Sequence, residues 1–465
     1  MRNKIFSLGL AVLLLGGCTM IPKYSRPAAP VPSALPGGAA VPGGATAAPA
    51  VADLAWREFF TDSGLRAVIE LALADNRDLR IAALNVEKLQ ALYRIQRSSL
   101  YPGVTAVAGA DNYKIPLQMS TTGSAYTVDQ YSVLGTASWE IDFFGRLRSL
   151  KAKALNQFLA TTETRKVAQM SLVAAVAEGY LTLAADRESL ELARATLEAQ
   201  KTSYDLILKS RDAGVASDLT LRQSQSQVEA ARVEVARYTG LVATDTNALN
   251  LLAGKQVPAD LLPGGLASVA ELKDVSAGLK SEILLQRPDI LAAEYQLKGA
   301  NADIGAARAA FFPRISLTGA AGTLAPELSH LFESGTGNWS YAPQIVLPIF
   351  SGGSLVASLK TANVDRDIAV AQYEKAIQTA FREVSDALAL RSTFADQLNA
   401  QESLANALDE SYRLSEARFK EGIDSYLGVV VAQQSLYDAQ RGLVSARLAR
   451  RSNQVALFKV LGGGL

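Results

Sequence analysis

Two stretches of this chain, Ser149–Ala213 and Ser354–Glu421, each run for more than sixty residues without a proline. Both are rich in strong helix formers, so each predicts a helix of roughly 100 Å, longer than a compact domain can hold. Within the first, Val176, Leu183, Leu190, Leu197 and Tyr204 recur every seven residues, the seam of a coiled coil, while Arg187, Arg194 and Lys201 mark a wet stripe. No mature segment approaches eighteen apolar residues without charge, so membrane-spanning helices are not expected. Each long helix ends at a glycine, Gly214 or Gly422, and a shorter helix returns over Asp218–Ala253 or Ser425–Leu461. A returning helix and the helix preceding each strand pair, about 36 residues apiece, stack to roughly 108 Å and so match the long helix.

That symmetry reflects an internal duplication with a period of about 210 residues. Placing Pro102 on Pro313 sets Asp78 on Asp289, Ala82 on Ala293, Arg97 on Arg308 and Tyr101 on Phe312. Further on, Gly214 pairs with Gly422, Ser217 with Ser425, Leu219 with Leu427 and Gly254 with Gly462. Each half opens with a helix, Leu65–Leu100 or Ser281–Ala310, stopped by an aromatic-Pro pair.

Two strands follow in each half. Tyr131, Val133, Ala137, Trp139, Ile141 and Phe143 alternate with Ser132, Thr136, Ser138, Glu140 and Asp142, and Trp339, Tyr341, Ile345, Leu347 and Ile349 repeat the pattern. Weaker strands, Val104–Pro116 and Ile315–Leu324, precede them across Gly/Ser/Thr-rich turns. A soluble sandwich would need further strands to cover the apolar face, and the sequence offers none. In a bilayer, four strands leave open edges, so the sheet must close by oligomerisation, and a dimer, trimer or tetramer satisfies that geometry. Tyr131, Trp139, Trp339 and Tyr341 suit an interfacial aromatic girdle.

The N-terminus supplies a location. Arg2 and Lys4 precede an apolar run too short to span a bilayer, and it ends in Leu15-Gly16-Gly17-Cys18. This resembles a bacterial lipobox, so residues 1–17 are read as a signal peptide and Cys18 as the lipidated mature N-terminus. Thr19 follows, where an Asp would favour retention at the inner membrane, so outer-membrane sorting is expected. Residues 18–52 then form a Pro/Ala/Gly-rich tether. Cys18 is the chain's only Cys and His330 its only His, which excludes an internal disulfide and a Cys/His metal cluster or catalytic pair. With 46 basic and 45 acidic side chains, nothing favours nucleic acid. Asp409-Glu410 lies on a charged helix face, His330 lies in a turn, and the glycine clusters lack the setting of a phosphate loop.

The stretches Arg287-Pro288-Asp289-Ile290, Ala293-Glu294 and Ala300-Asn301-Ala302-Asp303-Ile304-Gly305 through Phe312-Pro313 resemble the signature of the outer-membrane factors of tripartite efflux pumps, TolC-like and OprM-like proteins. Trp139-Glu140-Ile141-Asp142-Phe143-Phe144-Gly145-Arg146, Leu347-Pro348-Ile349-Phe350 and Leu461-Gly462-Gly463-Gly464 match as well, so the resemblance covers essentially the whole mature chain. It implies a mixed α and β fold: a homotrimer with a twelve-stranded transmembrane β-barrel continuous with a periplasmic α-helical coiled-coil barrel. Residues 53–254 and 281–465 would be the two repeats, and 255–280 a linker in an equatorial belt. Such a protein is not an enzyme and needs no cofactor beyond the lipid on Cys18. It conducts drugs or other small molecules passively from an inner-membrane transporter of the resistance-nodulation-division (RND) class and a periplasmic adaptor, or membrane fusion protein, to the exterior.

By the same resemblance, the gate lies at the periplasmic tip, where Gly214 and Gly422 turn the helix pairs. Leu427 matches a constricting apolar ring. Val431 falls where many relatives carry an Asp, which leaves Asp424 and Asp218 as alternative sources of charge. Other readings are a periplasmic structural coiled-coil lipoprotein, which would not need amphipathic hairpins, and a duct serving metal efflux or type I secretion. A hydrolase on a helical scaffold would need a converging nucleophile, base and oxyanion donors, and no such constellation is present.

Overall fold

A computed structural model describes residues 19–35, 55–273 and 281–463. In chain order the elements are α1 (Trp56–Phe59), α2 (Ser63–Asp75), α3 (Arg77–Ser98), β1 (Gly103–Ile115), β2 (Tyr126–Ile141), α4 (Arg146–Asp212) and α5 (Asp218–Ala253). The second half continues with α6 (Pro288–Ala309), β3 (Arg314–Ala325), β4 (Gly337–Val346), α7 (Ser354–Lys420) and α8 (Tyr426–Val460). Both long helices have 67 residues, and both helices entering the strands, α3 and α6, have 22. The chain divides into two compact units.

Among the described residues the first unit comprises 19–28, 85–162 and 292–374 and contains one antiparallel sheet of order β1-β2-β3-β4. Its register is unbroken, with Tyr131 opposite Ala110 and Ala325, and Gly319 opposite Tyr341. Directly paired residues share a face, so the register gathers Val104, Val133, Trp139, Ile315, Leu317, Trp339, Tyr341 and Ile345 on one side. Thr105, Ser132, Thr136, Ser138, Glu140, Ser316, Thr318, Ser340 and Gln344 take the other. The period-two pattern thus becomes one two-faced sheet. β4 stops at Val346, so Leu347 and Ile349 lie past the strand into which the alternation had carried them, where Pro348 denies a ladder donor.

The junction of β2 with α4 explains the run from Trp139 to Arg146. Asp142 accepts the amides of Leu147 and Arg148 at 3.1 and 2.8 Å, capping α4, and Arg146 grips Glu140 at 2.7 Å. Phe144 stacks on Phe312 with centroids 4.8 Å apart, and Trp139 Nε1 donates to the Leu100 carbonyl at 3.0 Å.

The described residues within 29–84, 163–291 and 375–463 form the second unit. At its core Phe59 stacks flat on Phe458, 4.0 Å between centroids, beside Phe60, Leu65, Val68 and Ile69. Arg287 is buried and fully engaged: Asp289 at 2.7 Å, Glu383 at 2.9 Å and the Val460 carbonyl at 2.8 Å tie α7 and α8 to the segment that opens α6. Burial alone would lower its pKa, but the two carboxylates more than offset this and hold it raised.

Three expectations change here. The helix read as continuous over Leu65–Leu100 is broken at Asn76, whose Oδ1 accepts from the Leu79 amide and whose Nδ2 donates to the Leu252 carbonyl, each at 2.9 Å. Arg187 does not stay wet, because it donates to the Pro263 carbonyl at 2.7 Å and so docks the segment after α5. Finally, α4 alone among the described residues is long and apolar enough to pass for a membrane span, and 56% of that window is buried inside the protein. Val173, Val176, Ala177, Leu181 and Leu183 are fully packed there, so its low charge reflects core. Of the seam read from heptads, Val176, Leu183 and Leu190 are buried, while Leu197 and Tyr204 are only half-buried.

Candidate functional site

Two regions carry the residues singled out above, and they belong to different units. On the sheet, Tyr131, Trp139, Trp339 and Tyr341 all project from the apolar face. Tyr131 and Trp139 lie eight residues apart on β2, roughly 27 Å, about the height of a bilayer's apolar band. Trp339 and Tyr341 stack 6.1 Å apart on the outer half of β4, opposite Ala321 and Gly319. His330, in the loop between β3 and β4, sits half-exposed between Glu327 and Glu333.

In the second unit, the turn between α4 and α5 and the turn between α7 and α8 pack together. Gly214 and Gly422 hold φ of +78° and +72°, the left-handed geometry that ends each long helix. Ile207 and Leu221 from the first turn meet Tyr426 and Val429 from the second in a buried cluster, flanked by Tyr204, Tyr412 and Phe419. The Tyr426 hydroxyl reaches Ser224 Oγ at 3.3 Å, and its ring lies 5.4 Å from Phe419. This cluster fixes which face of α8 turns outward. Leu427 and Val431, one turn apart, are 54% and 58% exposed. Two neighbouring apolar side chains held open to solvent are what a ring closed by copies of the chain would require.

The charges are less free than the sequence suggested. Asp424 is clasped by Arg418, at 2.5 and 3.1 Å, across the Gly422 turn, and that hydrogen bonding keeps its carboxyl below the usual range. Asp218 lies open, with Arg211 at 4.0 Å. Arg418, Tyr426 and Ser224 were not singled out from the sequence. The glycine-bounded turns and their correspondence across the duplication were signals, but the packing of one turn against the other in space was not. Asp409-Glu410 stays on an exposed face where Glu410 pairs with Arg413. Among the described residues no group of three or more His, Cys, Asp or Glu side chains could hold a metal. Cys18 lies outside the described residues, as do residues 1–17 and the second half of the tether, 36–52.

A third arrangement was visible only as family signature. Residues 21–26 run against α6 as a strap: Asn301 Nδ2 donates to the Pro22 carbonyl at 2.8 Å, and Glu294, almost wholly buried, receives Arg26, Tyr24 and Lys298. Gly305 makes room for Ile21, since a Cβ there would come within 2.6 Å of its side chain. Ile21 thereby lies beside the last turns of α6, directly before β3.

One family model, described as "Outer membrane efflux protein", matches the chain twice, over residues 68–255 and 279–463. The chain belongs to this family. It is 47% identical to the toluene efflux pump outer membrane protein TtgC of Pseudomonas putida, covering 100% of this chain and 96% of that one. Outer membrane protein OprJ of Pseudomonas aeruginosa is 41% identical, with 100% and 97% covered. Among solved structures, the open state of the Neisseria gonorrhoeae MtrE outer membrane channel superposes with a TM-score of 0.87 at 36% identity, over 96% of this chain and 99% of that one. The protein is accordingly an outer-membrane exit duct of an efflux system and not an enzyme. Its signature residues have structural work in the protomer: Arg287 and Asp289 lock helix ends, Glu294, Asn301 and Gly305 seat the strap, and Asp142 and Phe144 join strand to helix.

Proposed function

We propose that the chain works as a homotrimer in which three four-stranded sheets close a twelve-stranded barrel in the outer membrane, continued into the periplasm by a barrel of α4, α5, α7, α8 and their counterparts. The observation that carries this reading is the sheet itself: one face is apolar, the other polar, and among the described residues the outer edges of β1 and β4 have no partner strand. In hydrocarbon such edges cost several kcal/mol per unpaired group, so β4 of one copy pairs with β1 of the next.

Cys18 carries the lipid, after removal of residues 1–17, and residues 18–52 tether it. The seat of Ile21 beside the end of α6 supports an anchor close to the foot of the barrel. Residues 53–254 and 281–465 are the two copies of a duplicated unit, a reading supported by the double match of one family model, and 255–280 link them. Drugs and other small molecules reach the duct from an RND transporter through a periplasmic adaptor. The gate is the pair of glycine turns, with Leu427 and Val431 narrowing the bore and Asp424 and Asp218 setting its charge, while Tyr131, Trp139, Trp339 and Tyr341 meet the lipid.

Cysteine pairs scanned along residues 103–115 of β1 and 337–346 of β4, on the full chain in membranes, test the closure. Cross-linked dimers and trimers in one staggered register are expected, together with single-channel conductance in planar bilayers. Monomers without cross-links and without pores would sink the proposal.

A further inference from the structure

The three-helix packing of α4, α5 and α8 in the second unit is interrupted. One buried cluster joins Leu190, Ala193 and Tyr238, and the next joins Ile207, Leu221, Tyr426 and Val429. Between them lies a cavity of about 280 Å³. Ala193, Thr196, Ala230 and Ala231 leave room along one stretch of its wall, with the Tyr437 ring on the α8 side and the longer Gln227, Glu234, Gln434 and Arg441 around the rest. Gln200 projects into this gap. It is 4% exposed, and its Oε1 is buried with no hydrogen-bond partner. A buried amide oxygen left unpaired is costly, and few are tolerated in a folded protein.

Gln227 and Gln434 also line the gap, and among its charged and phenolic groups the contacts are made within the protein. Glu234 accepts from Arg237 at 2.7 Å and from the Tyr437 hydroxyl at 3.3 Å, with Arg441 at 3.7 Å. Arg441 also lies 3.9 Å from Asp438, so two guanidinium groups balance two carboxylates and a charged ligand finds no unmatched partner. An amide can present either its oxygen or its nitrogen to the cavity, and a hydroxyl, which both donates and accepts, satisfies either. Short apolar walls favour a flat hydrocarbon body, and about 150 Å³ suffices for benzene in an apolar cavity. We propose that this cavity is a binding site for a small neutral aromatic alcohol, its ring between Ala193, Ala231 and Tyr437 and its hydroxyl on the Gln200 amide. The site lies among α4, α5 and α8 and does not depend on how the duct is gated.

The test uses the full chain in detergent and ¹⁹F NMR of 4-fluorophenol, with fluorobenzene as the probe that lacks the hydroxyl. Protein-dependent broadening of 4-fluorophenol is expected, weakened about tenfold in Gln200→Leu and abolished in Ala231→Leu, which fills the cavity. Fluorobenzene should bind the wild type about tenfold more weakly than 4-fluorophenol and should bind Gln200→Leu as well as 4-fluorophenol does. Unfolding temperatures confirm that each variant is folded, and Thr196→Leu fills the opposite wall should Ala231→Leu fail to fold. No binding to the wild type would mean that water or a side chain of another copy fills the gap. Equal binding to wild type and filled variants would place the probe elsewhere, and either result overturns the proposal.

Discussion

Glu294 receives two nitrogens of the Arg26 guanidinium, Nη2 at 2.6 Å and Nε at 3.1 Å, and so fastens the N-terminal strap to α6. Burial would raise the Glu294 pKa, but hydrogen bonds from Arg26 and Lys298 reverse that and hold it below the usual range. A depressed carboxylate contributes stability above its unfolded pKa of about 4.3, and that contribution is lost as pH falls through the folded value. Glu294→Gln should therefore release the strap at neutral pH at a cost of about 1–2 kcal/mol, after discounting for the exposed half of Arg26. Trypsin cleavage after Lys23 should accelerate about tenfold in the variant. In the wild type the strap should loosen to the same degree only well below pH 4, read there by hydrogen exchange of residues 21–26. Unchanged cleavage would show that the pair does not hold the strap.

Gly305 gives an independent handle on the same contact. A Cβ at this position would lie 2.6 Å from Ile21 Cγ1, 2.7 Å from Ser149 Oγ and 2.9 Å from the Ile21 Cα. Backbone cannot yield as a side chain can, so Gly305→Ala should displace residues 19–26 without altering any charge. The same trypsin assay should show faster cleavage, this time with no dependence on pH between 5 and 8. If Gly305→Ala protects the strap as well as glycine does, the close approach is not what seats Ile21.

These two contacts show where sequence reasoning stopped. Glu294, Asn301 and Gly305 sit in a helix whose local pattern is satisfied without them, and their partners lie about 270 to 280 residues away, at Tyr24, Arg26, Pro22 and Ile21. Periodicity reports on a residue's own element, so strand faces, helix ends and the heptad seam were legible from Val176 to Leu190. The glycine turns at Gly214 and Gly422 were legible too, because backbone conformation restricts residue type there. Asn76 broke a helix that pattern had carried through, since a single Asn is acceptable in mid-helix and only its contact with Leu252 makes it a cap. Gln200 looked like one more helix-forming residue, and only the packing around it reveals an orphaned amide.

Asp186 on α4 and Asp245 on α5 place two carboxyl groups together in the second unit. Burial, the hydrogen bond to Asp245 and its charge push Asp186 up to about 6, against the opposing pull of Arg237. A folded pKa above the unfolded value of about 3.9 means that the native state holds the extra proton, so stability falls as pH rises between about 4 and 6. Asp186→Asn removes that penalty and should stabilise the protein by on the order of 1–3 kcal/mol at pH 7.5. Thermal unfolding at pH 7.5 and pH 4 checks this: the variant's advantage should disappear at the lower pH. An advantage equal at both would attribute the effect to packing and not to the shared proton.

Leu427 and the Arg418–Asp424 pair can be separated because they face different things. Leu427 is exposed and lies outside the buried cluster of the turns, whereas Arg418 and Asp424 clamp the end of α7 across Gly422. If Leu427 closes the bore against its copies, Leu427→Ser should raise single-channel conductance and make cells more sensitive to vancomycin, with no change in thermal stability. Arg418→Ala should also open the duct, by loosening the turn, but its effect should shrink as salt rises because the pair it removes is itself exposed and screened. Combining the two substitutions distinguishes one mechanism from two. Additive gains in conductance would mean that ring and clamp act separately, while a double variant no leakier than Arg418→Ala would mean that the clamp merely positions Leu427. If neither single variant changes conductance or vancomycin sensitivity, the glycine turns are not the gate, and the constriction lies elsewhere along the helices.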